Sequence, residues 1–202
     1  MQEPSVQFRT RKKNSLSKLK DAAASGKVDA EIVELLEVIN NHPYYFTTSS
    51  CSGRIQIVSS RRTGDKATAV VHGKWHGEVQ PDELYNIILE ASRTGHIVQM
   101  MFQGPIIHIT SEDIAYAKDL LVKARASGFK NSSIRYLHKD GTVNIELLST
   151  EYFALPVAAE GRVWIPKEYV ELFCQECKML RNAYTVKLKK LREKLIRCQS
   201  EA

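Results

Sequence analysis

The segment from Ser133 to Leu148 restricts the fold more strongly than any other part of the chain. It reads SIRYLHKDGTVNIELL, in which two stretches with alternating apolar residues flank the dipeptide Asp140-Gly141. An Asp-Gly pair supplies the positive φ angles that a tight turn between antiparallel strands needs, so the segment predicts a β-hairpin. A hairpin requires antiparallel pairing and disfavours a doubly wound parallel sheet.

Helical patterns alternate with the strand-like segments. Residues 5–25 predict a basic helix that Gly26 ends, and Asp29 is the expected N-cap of a second helix. Three later helices are expected, with these first or capping residues: Pro81, Ser111 and Pro166. The last helix covers 166–197, repeats its apolar residues in steps of four and three, and extends roughly 45 Å.

Further period-two segments lie between these helices, and one of them is broken at Gly104-Pro105. Antiparallel hairpins mixed with helices predict an α+β fold, with a largely antiparallel or mixed sheet flanked by helices. Residues 128–149 loosely echo residues 44–71, because each has a serine-containing stretch followed by two alternating strands. This echo hints at an internal duplication.

The composition is that of an ordinary soluble globular protein, with 43% hydrophobic and 26% charged residues. No apolar run approaches the roughly 18 residues that span a bilayer, and no apolar stretch follows the basic residues near the N-terminus. The protein is therefore expected to be cytoplasmic, with no membrane partner. We predict one domain over 1–202, with a helical segment 5–42, a body of sheet and helices 43–165 and a basic helix 166–198.

Positive charge is concentrated at the two ends of the chain. Lys and Arg total 29 against 23 Asp and Glu, which gives a formal net charge of +6 and a pI near 9.1. Such clusters neutralise phosphates and indicate a nucleic-acid surface, although a solvated basic face explains them equally well. The candidate phosphate contacts are Lys12, Lys13, Lys187 and Lys190.

The cysteines do not form a convincing metal motif. Cys174 and Cys177 lie three residues apart in a helical pattern, and the sequence offers no second pair of matching ligands. Thiols at this spacing on a helix are more often packing and surface residues. No metal site is predicted, and disulfides are not expected in the cytosol.

A hydroxyl-rich run, FTTSSCSGRIQIV at residues 46–58, precedes a strand-like segment. Its candidate ligand-binding residues are Ser49, Ser50, Ser52, Gly53 and Arg54. Small residues expose backbone N–H groups, glycine permits the close approach of a ligand, and a guanidinium matches a carboxylate or phosphate. An anion-binding turn is only slightly favoured over a polar turn whose hydroxyls satisfy the local backbone.

A nucleophile in this run is a third interpretation. The chain has no G-x-G-x-x-G fingerprint, no P-loop and no G-x-S-x-G elbow. A Cys51 nucleophile with His76 or His108 as its base stays open, because the fold decides which of these residues meet.

Two further segments contain candidate site residues. In HGKWH, Trp75 offers a flat face to a nucleobase and His76 suits acid–base chemistry, with core packing as the alternative for the tryptophan. His108, in GPIIHI, suits either a base or a hydrogen-bonded, half-buried histidine. In GFKNSSI, Asn131 and Ser132 suit recognition of base edges or a simple turn.

Taken in order, five segments resemble the wybutosine-synthesis methyltransferase family, the third enzyme of that tRNA-modification pathway. They read FTTSSCSGRI, GKWH, GPIIHI, GFKNSSI and YVELFCQECKMLRNAYTVKLKKLREKL, and the resemblance extends from about Phe8 to Leu195. The GKWH form is similar to archaeal members. Ser133 departs from the glycine that the family is expected to have there.

The resemblance implies methyl transfer from S-adenosyl-L-methionine to a ring nitrogen, N4, of a tricyclic wyosine-type guanosine beside the anticodon of tRNA-Phe. It also implies a curved, barrel-like sheet flanked by helices, unlike that of Rossmann methyltransferases. The missing glycine fingerprint agrees with this expectation.

Roles for the candidate residues follow as hypotheses from that reaction. The turn at 49–54, with Arg54, is expected to bind the methionine carboxylate, Trp75 to stack on a base, and His76 or His108 to act as the base. Asn131 and Ser132 are candidate substrate contacts, and the basic terminal helices are expected to hold the tRNA backbone. The rival interpretations are a non-enzymatic RNA-binding protein and a Cys51-dependent hydrolase or transferase. The sequence does not predict the oligomeric state.

Overall fold

The computed structural model describes residues 3–200, and the side chains of residues 3–197. Its α-helices within that range are α1 (Val6–Ala24), α2 (Val33–Asn41), α3 (Pro81–Ser92), α4 (Ile114–Ala126) and α5 (Lys167–Ser200). A short 3-10 helix at Ala30–Ile32 precedes α2. The strands are β1 (Tyr45–Cys51), β2 (Arg54–Ser60), β3 (Val70–Trp75), β4 (Ile97–Gln103), β5 (Ile106–Ser111), β6 (Ser133–Leu137), β7 (Val143–Leu148), β8 (Tyr152–Ala159) and β9 (Arg162–Val163).

The chain divides into two compact units. The first unit contains the residues up to Ser52, Pro105–Thr150 and the residues from Tyr184 onward. The second unit contains Gly53–Gly104 and Glu151–Ala183. Each unit has its own sheet, and α5 contributes its first part to the second unit and its remainder to the first. One domain over the whole chain stays a prediction.

The sheet of the first unit has the strand order β1-β5-β7-β6, and every neighbouring pair is antiparallel. The predicted hairpin is confirmed as β6 and β7. Its turn has one positive φ, 86° at Gly141, whereas Asp140 does not adopt the left-handed region. Alternate residues of the central strands β5 and β7, such as Ile107, Ile109 and Ile145, are buried, and α4 packs on these two strands.

The sheet of the second unit has the order β3-β2-β4-β8-β9 and is also antiparallel throughout. Helix α3 begins at Pro81 as expected and buries Leu84 and Ile88. The opposing core residues of β2 and β4 include Ile57 and Met100, which are both fully buried. The packing of an amphipathic helix on alternate strand residues builds the apolar core of this unit.

The predicted α+β class, antiparallel and not Rossmann, is confirmed. The break at Gly104-Pro105 separates two strands that belong to different sheets, β4 and β5. The sequence echo does not correspond to a structural repeat. In residues 44–71 the first two strands, β1 and β2, lie in different sheets, whereas residues 128–149 form one hairpin.

One expected helix cap is confirmed in position and the other is wrong. Asp29 occupies the N-cap position of the 3-10 helix at Ala30–Ile32 but makes no side-chain cap hydrogen bond there. Ser111 is the last residue of β5, and Asp113 is the N-cap of α4, where its carboxylate accepts hydrogen bonds from the backbone N–H groups of Ala115 and Tyr116.

The predicted long terminal helix is confirmed as α5, which has 34 residues. The buried members of its apolar series are Phe173, Cys177, Tyr184, Leu188, Leu191 and Leu195. Their burial confirms that the apolar series is a packing face. None of the described helices is both long and apolar enough to cross a membrane.

Candidate active site

The hydroxyl groups of the run at 46–58 lie in β1 and in the short link that follows it, and the rest of the run begins β2. Strand β1 ends at Cys51 and β2 begins at Arg54, so only Ser52 and Gly53 lie between them. Gly53 has a φ of 119°, a conformation that strongly favours glycine. The backbone of this link is therefore held in a shape that its sequence specifies.

Asp29 fixes the link from the side. Its Oδ2 accepts a hydrogen bond of 2.7 Å from the backbone N–H of Ser52, across 23 residues of sequence. A charge-assisted bond of this kind is shorter and stronger than a neutral one. The sequence places Asp29 before a helix and suggests a cap, so this contact could not be predicted from local pattern.

The hydroxyls of β1 have different roles. Thr47 is buried, and both its backbone N–H and its hydroxyl bond to the amide of Asn40. A bulge in the pairing with β5 lies between Thr47 and Ser49, and it leaves Ser49 exposed. Thr47 is thus structural, and Ser49 is available for chemistry.

His108 lies beside Ser49 in the first unit. The Oγ of Ser49 is 2.7 Å from His108 Nδ1, and Oε1 of Glu146 is 3.1 Å from His108 Nε2. Arg135 Nη1 lies 3.6 Å from the other carboxylate oxygen of Glu146. Sequence analysis missed Glu146 and Arg135, because nothing in the hairpin sequence marks them as functional.

A cavity of about 320 Å³ borders the same run between α1 and β1. Thr48, Ser49 and Ser50 line it together with Lys18 and Lys27. Hydroxyl donors beside two ammonium groups favour an anionic ligand, such as a phosphate or a carboxylate. These contacts favour the anion-binding interpretation of the run.

Arg54 begins β2 in the second unit and is half-buried. Its guanidinium makes no hydrogen bond or ion pair with any side chain or backbone group in residues 3–197. Neighbouring residues of a strand point to opposite faces, so Arg54 and the buried Ile55 lie on opposite faces of the sheet. A half-buried arginine with unused donors is suited to a bound carboxylate or phosphate.

A second cavity, of about 380 Å³, lies on the Ile55 face of the second unit. Its apolar wall includes Phe102, and Cys174 and Cys177 line it from α5. Burial raises the pKa of both thiols above the ordinary cysteine value, so neither is poised as a thiolate. This observation agrees with a packing role for the pair.

His76 follows β3 directly and is half-buried. Its backbone carbonyl accepts a hydrogen bond of 2.5 Å from Nη2 of Arg181, which fixes this part of the chain against α5. His76 belongs to the second unit and His108 to the first.

Trp75 is half-buried at the end of β3. Its indole N–H donates to Oε1 of Glu83 at 2.9 Å, and its ring covers Gly73 so closely that a Cβ atom there would lie 2.1 Å from the ring. The ring is therefore fixed in orientation, with one part accessible for stacking.

Gly73→Ala is expected to displace the indole ring of Trp75, because the new methyl group and the ring cannot occupy the same space. We expect a red shift of Trp75 fluorescence, measured in a Trp164→Phe background that leaves one tryptophan. Gly77→Ala is the matched control, since no atom lies within 4 Å of its added Cβ. Equal spectra for Gly73→Ala and its parent would contradict the fixed ring.

In the second serine-containing loop, residues 128–134, Ser132 is hydrogen-bonded within the protein and Asn131 is accessible. Ser132 is buried, its hydroxyl accepts from the backbone N–H of Leu148 at 3.1 Å, and its carbonyl accepts from Arg125 at 3.0 Å. Asn131 is exposed. Of the two, Asn131 is the one whose side chain is accessible.

The four candidate lysines fall into two pairs. Lys12 is half-buried and donates to the carbonyl of His42 at 2.5 Å, and burial lowers its pKa to about 8. Lys187 donates to Thr150 at 2.8 Å. Lys13 and Lys190 are exposed, and Lys190 borders a basic surface cavity with Lys194 and Arg197.

These features define a class: an α+β protein with antiparallel sheets, outside the Rossmann class of methyltransferases. Residues 10–197 match the model of the family described as "Methyltransferase TYW3". The chain therefore belongs to the Methyltransferase TYW3 family, which is a family of enzymes, and the resemblance seen in five sequence segments is confirmed.

Named relatives cover almost the whole chain. A Thermococcus sibiricus protein is 36% identical over 188 residues, which are 93% of this chain and 94% of the relative. A Methanocaldococcus jannaschii protein is 37% identical over 187 residues, 92% of each chain. Both are named "tRNA(Phe) 7-((3-amino-3-carboxypropyl)-4-demethylwyosine(37)-N(4))-methyltransferase".

The fold matches solved structures as well. A structure of a Pyrococcus horikoshii protein superposes with a TM-score of 0.84 at 32% identity, covering 93% of this chain and 95% of the other. An Aeropyrum pernix protein of 24% identity has a TM-score of 0.72, covering 83% of this chain and 96% of the other, and shares the fold.

Proposed function

We propose that this protein methylates N4 of a 4-demethylwyosine-type guanosine in tRNA(Phe), with S-adenosyl-L-methionine as the methyl donor. The observation that carries the proposal is the similarity over 92–93% of the chain to relatives named for that reaction. The antiparallel fold and the accessible Ser49 and Arg54 support it.

The residues present suit the proposed donor. S-Adenosyl-L-methionine supplies an electrophilic methyl group on a sulfonium and carries a carboxylate. The unpaired guanidinium of Arg54 and the small residues of the 49–54 turn suit that carboxylate. Asp29 accepts a hydrogen bond from Ser52 N–H and so fixes the backbone of the turn at that residue.

Methyl transfer from a sulfonium is an in-line displacement, which needs alignment and acceptor deprotonation but no enzyme nucleophile. Either His76 or His108 is the proposed base, Trp75 is proposed to stack on a nucleobase, and Asn131 to contact the substrate. The exposed lysines are proposed to hold the tRNA backbone. Cys51 is buried and is assigned a packing role.

The proposal is tested by incubating the protein with S-adenosyl-L-methionine and tRNA(Phe) that carries the 4-demethyl tricyclic base. Mass spectrometry of the nucleosides is expected to show one added methyl group. The same tRNA with unmodified guanosine is the control and should gain none. Binding of tRNA without any methyl transfer would favour the non-enzymatic RNA-binding interpretation.

Cys51→Ala is expected to keep methyl transfer, because the proposed displacement uses no thiol. The single-turnover rate with the same tRNA measures this, and thermal melting shows whether the buried substitution has changed stability. A folded Cys51→Ala protein with no activity would favour the Cys51-dependent mechanism.

A further inference from the structure

A row of polar side chains crosses three strands of the first unit's sheet. Ser49 of β1 lies directly opposite His108 of β5, and His108 lies directly opposite Glu146 of β7. Residues that lie opposite each other in neighbouring strands project from the same face, so these three side chains form one connected line. Arg135 of β6 lies 3.6 Å from Glu146, in an irregular part of the β6–β7 pairing.

The hydrogen bonds in this row define the state of the histidine ring. An ionised carboxylate accepts hydrogen bonds only, so the 3.1 Å contact with Glu146 places the proton of neutral His108 on Nε2. Nδ1 then has a free lone pair, which accepts the hydroxyl hydrogen of Ser49 at 2.7 Å.

Both ring nitrogens of His108 are therefore occupied by protein groups. A substrate proton can reach the imidazole only through one of these partners. Glu146 is largely buried, with 15% of its side chain exposed, whereas Ser49 is exposed and borders the cavity between α1 and β1. The accessible end of the row is the hydroxyl of Ser49.

We infer that Ser49, His108 and Glu146 form a proton relay in which Ser49 Oγ contacts the acceptor nitrogen of the substrate. The inference rests on the proposed methyl transfer and deepens it. It moves Ser49 from donor binding to catalysis, and it makes Glu146 a positioning residue that acts through His108.

The proton balance of the step is complete within this row. As the nitrogen–carbon bond forms and the carbon–sulfur bond breaks, with its electron pair going to sulfur, the acceptor nitrogen loses its proton. Ser49 Oγ accepts that proton while its own hydrogen passes to His108 Nδ1. The resulting imidazolium is stabilised through Nε2–H by the carboxylate of Glu146.

The bulge in β1 is what makes this geometry possible. Without the register shift between Thr47 and Ser49, the alternation of the strand would place a different residue opposite His108. The shift brings the hydroxyl of Ser49 beside the ring and leaves Thr47 in the core with Asn40. Bulges are frequent next to active sites because they redirect one side chain.

The first test uses the protein without substrate or donor. Nitrogen-15 NMR of the histidine rings, with His108 assigned by comparison with His108→Gln, is expected to show the Nε2–H tautomer. Glu146→Gln is expected to weaken that preference. The control is Thr110→Val, which removes another β5–β7 bond, from Thr110 Oγ1 to Asn144 at 3.0 Å, and should leave the tautomer unchanged. A predominant Nδ1–H tautomer in the wild type overturns the relay.

The second test measures single-turnover methyl transfer at saturating tRNA and donor. Ser49→Ala and His108→Gln are each expected to slow the reaction by about 100-fold or more, with donor affinity unchanged. Because the two residues act as one unit, the double variant should be no slower than the slower single variant. Ser49→Thr keeps a hydroxyl and is expected to restore most of the rate.

The outcomes separate the relay from the proposed function. If the wild type transfers no methyl group, both fail. If the wild type is active and Ser49→Ala is equally fast, or weakens donor binding instead of the rate, only the relay fails.

Discussion

Raising the monovalent salt concentration from about 50 to about 200 mM is expected to weaken tRNA(Phe) binding by roughly 100-fold. Neutralising about four phosphates gives a slope of log K against log salt of about −3.6, because each contact releases condensed counterions. The exposed basic residues of α1 and α5, such as Lys13, Lys190, Lys194 and Arg197, supply enough charge for this. Fluorescence anisotropy of labelled tRNA across a salt series measures the slope.

The two lysine pairs provide matched controls for that measurement. Lys13→Ala and Lys190→Ala are each expected to reduce the slope by about one, because each removes one exposed phosphate contact. Lys12→Ala and Lys187→Ala instead remove hydrogen bonds to His42 and Thr150 and are expected to lower the melting temperature more than the slope. A slope near zero in the wild type would remove the basic helices from tRNA binding.

Local pattern predicted the elements of this fold well. The period-two runs around Asp140-Gly141 became the β6–β7 hairpin, and the steps of four and three became the buried series of α5. Both depend on residues close together in sequence, where side-chain periodicity and turn chemistry decide the structure.

The division into two sheets could not be predicted in this way. The residues around Gly104-Pro105 can be predicted as strands from their own sequence. The strands that pair with β4 and β5, however, are distant in the chain. The alternation of apolar residues specifies which face of a strand is apolar, but it does not specify which strands pair with that strand.

The contacts of the candidate site were still less predictable from local sequence, because they join residues that are distant in the chain. Ser49 and His108 are individually visible in the sequence, but their contact joins residues 59 positions apart, and Glu146 is a further 38 positions away. One bulge decides whether Ser49 or another hydroxyl meets the ring. Asp29 occupies the N-cap position that its place before a helix predicts, but its carboxylate accepts from Ser52 N–H, which is 23 residues away.

Arg54→Ala is expected to weaken binding of S-adenosyl-L-methionine by about 10- to 100-fold, as measured by titration calorimetry. Hydrogen bonds to a charged group contribute about 1.5–3 kcal/mol, and about 1.4 kcal/mol corresponds to tenfold in affinity. Arg54→Lys keeps the charge and loses the planar pair of donors, so an intermediate affinity is expected. Arg61→Ala, at the other end of β2, is exposed and should bind the donor normally.

A decarboxylated donor analogue tests whether Arg54 contacts the carboxylate itself. In the wild type, removing the carboxylate is expected to weaken binding by about the same factor as Arg54→Ala, because either change breaks the same charged hydrogen bonds. In Arg54→Ala the analogue and the full donor should then bind with nearly equal affinity. The two changes remove the same interaction, so their effects on the binding free energy do not add. If loss of the carboxylate weakens binding equally in both proteins, Arg54 acts elsewhere, and the carboxylate is held by other donors, such as those that line the cavity between α1 and β1.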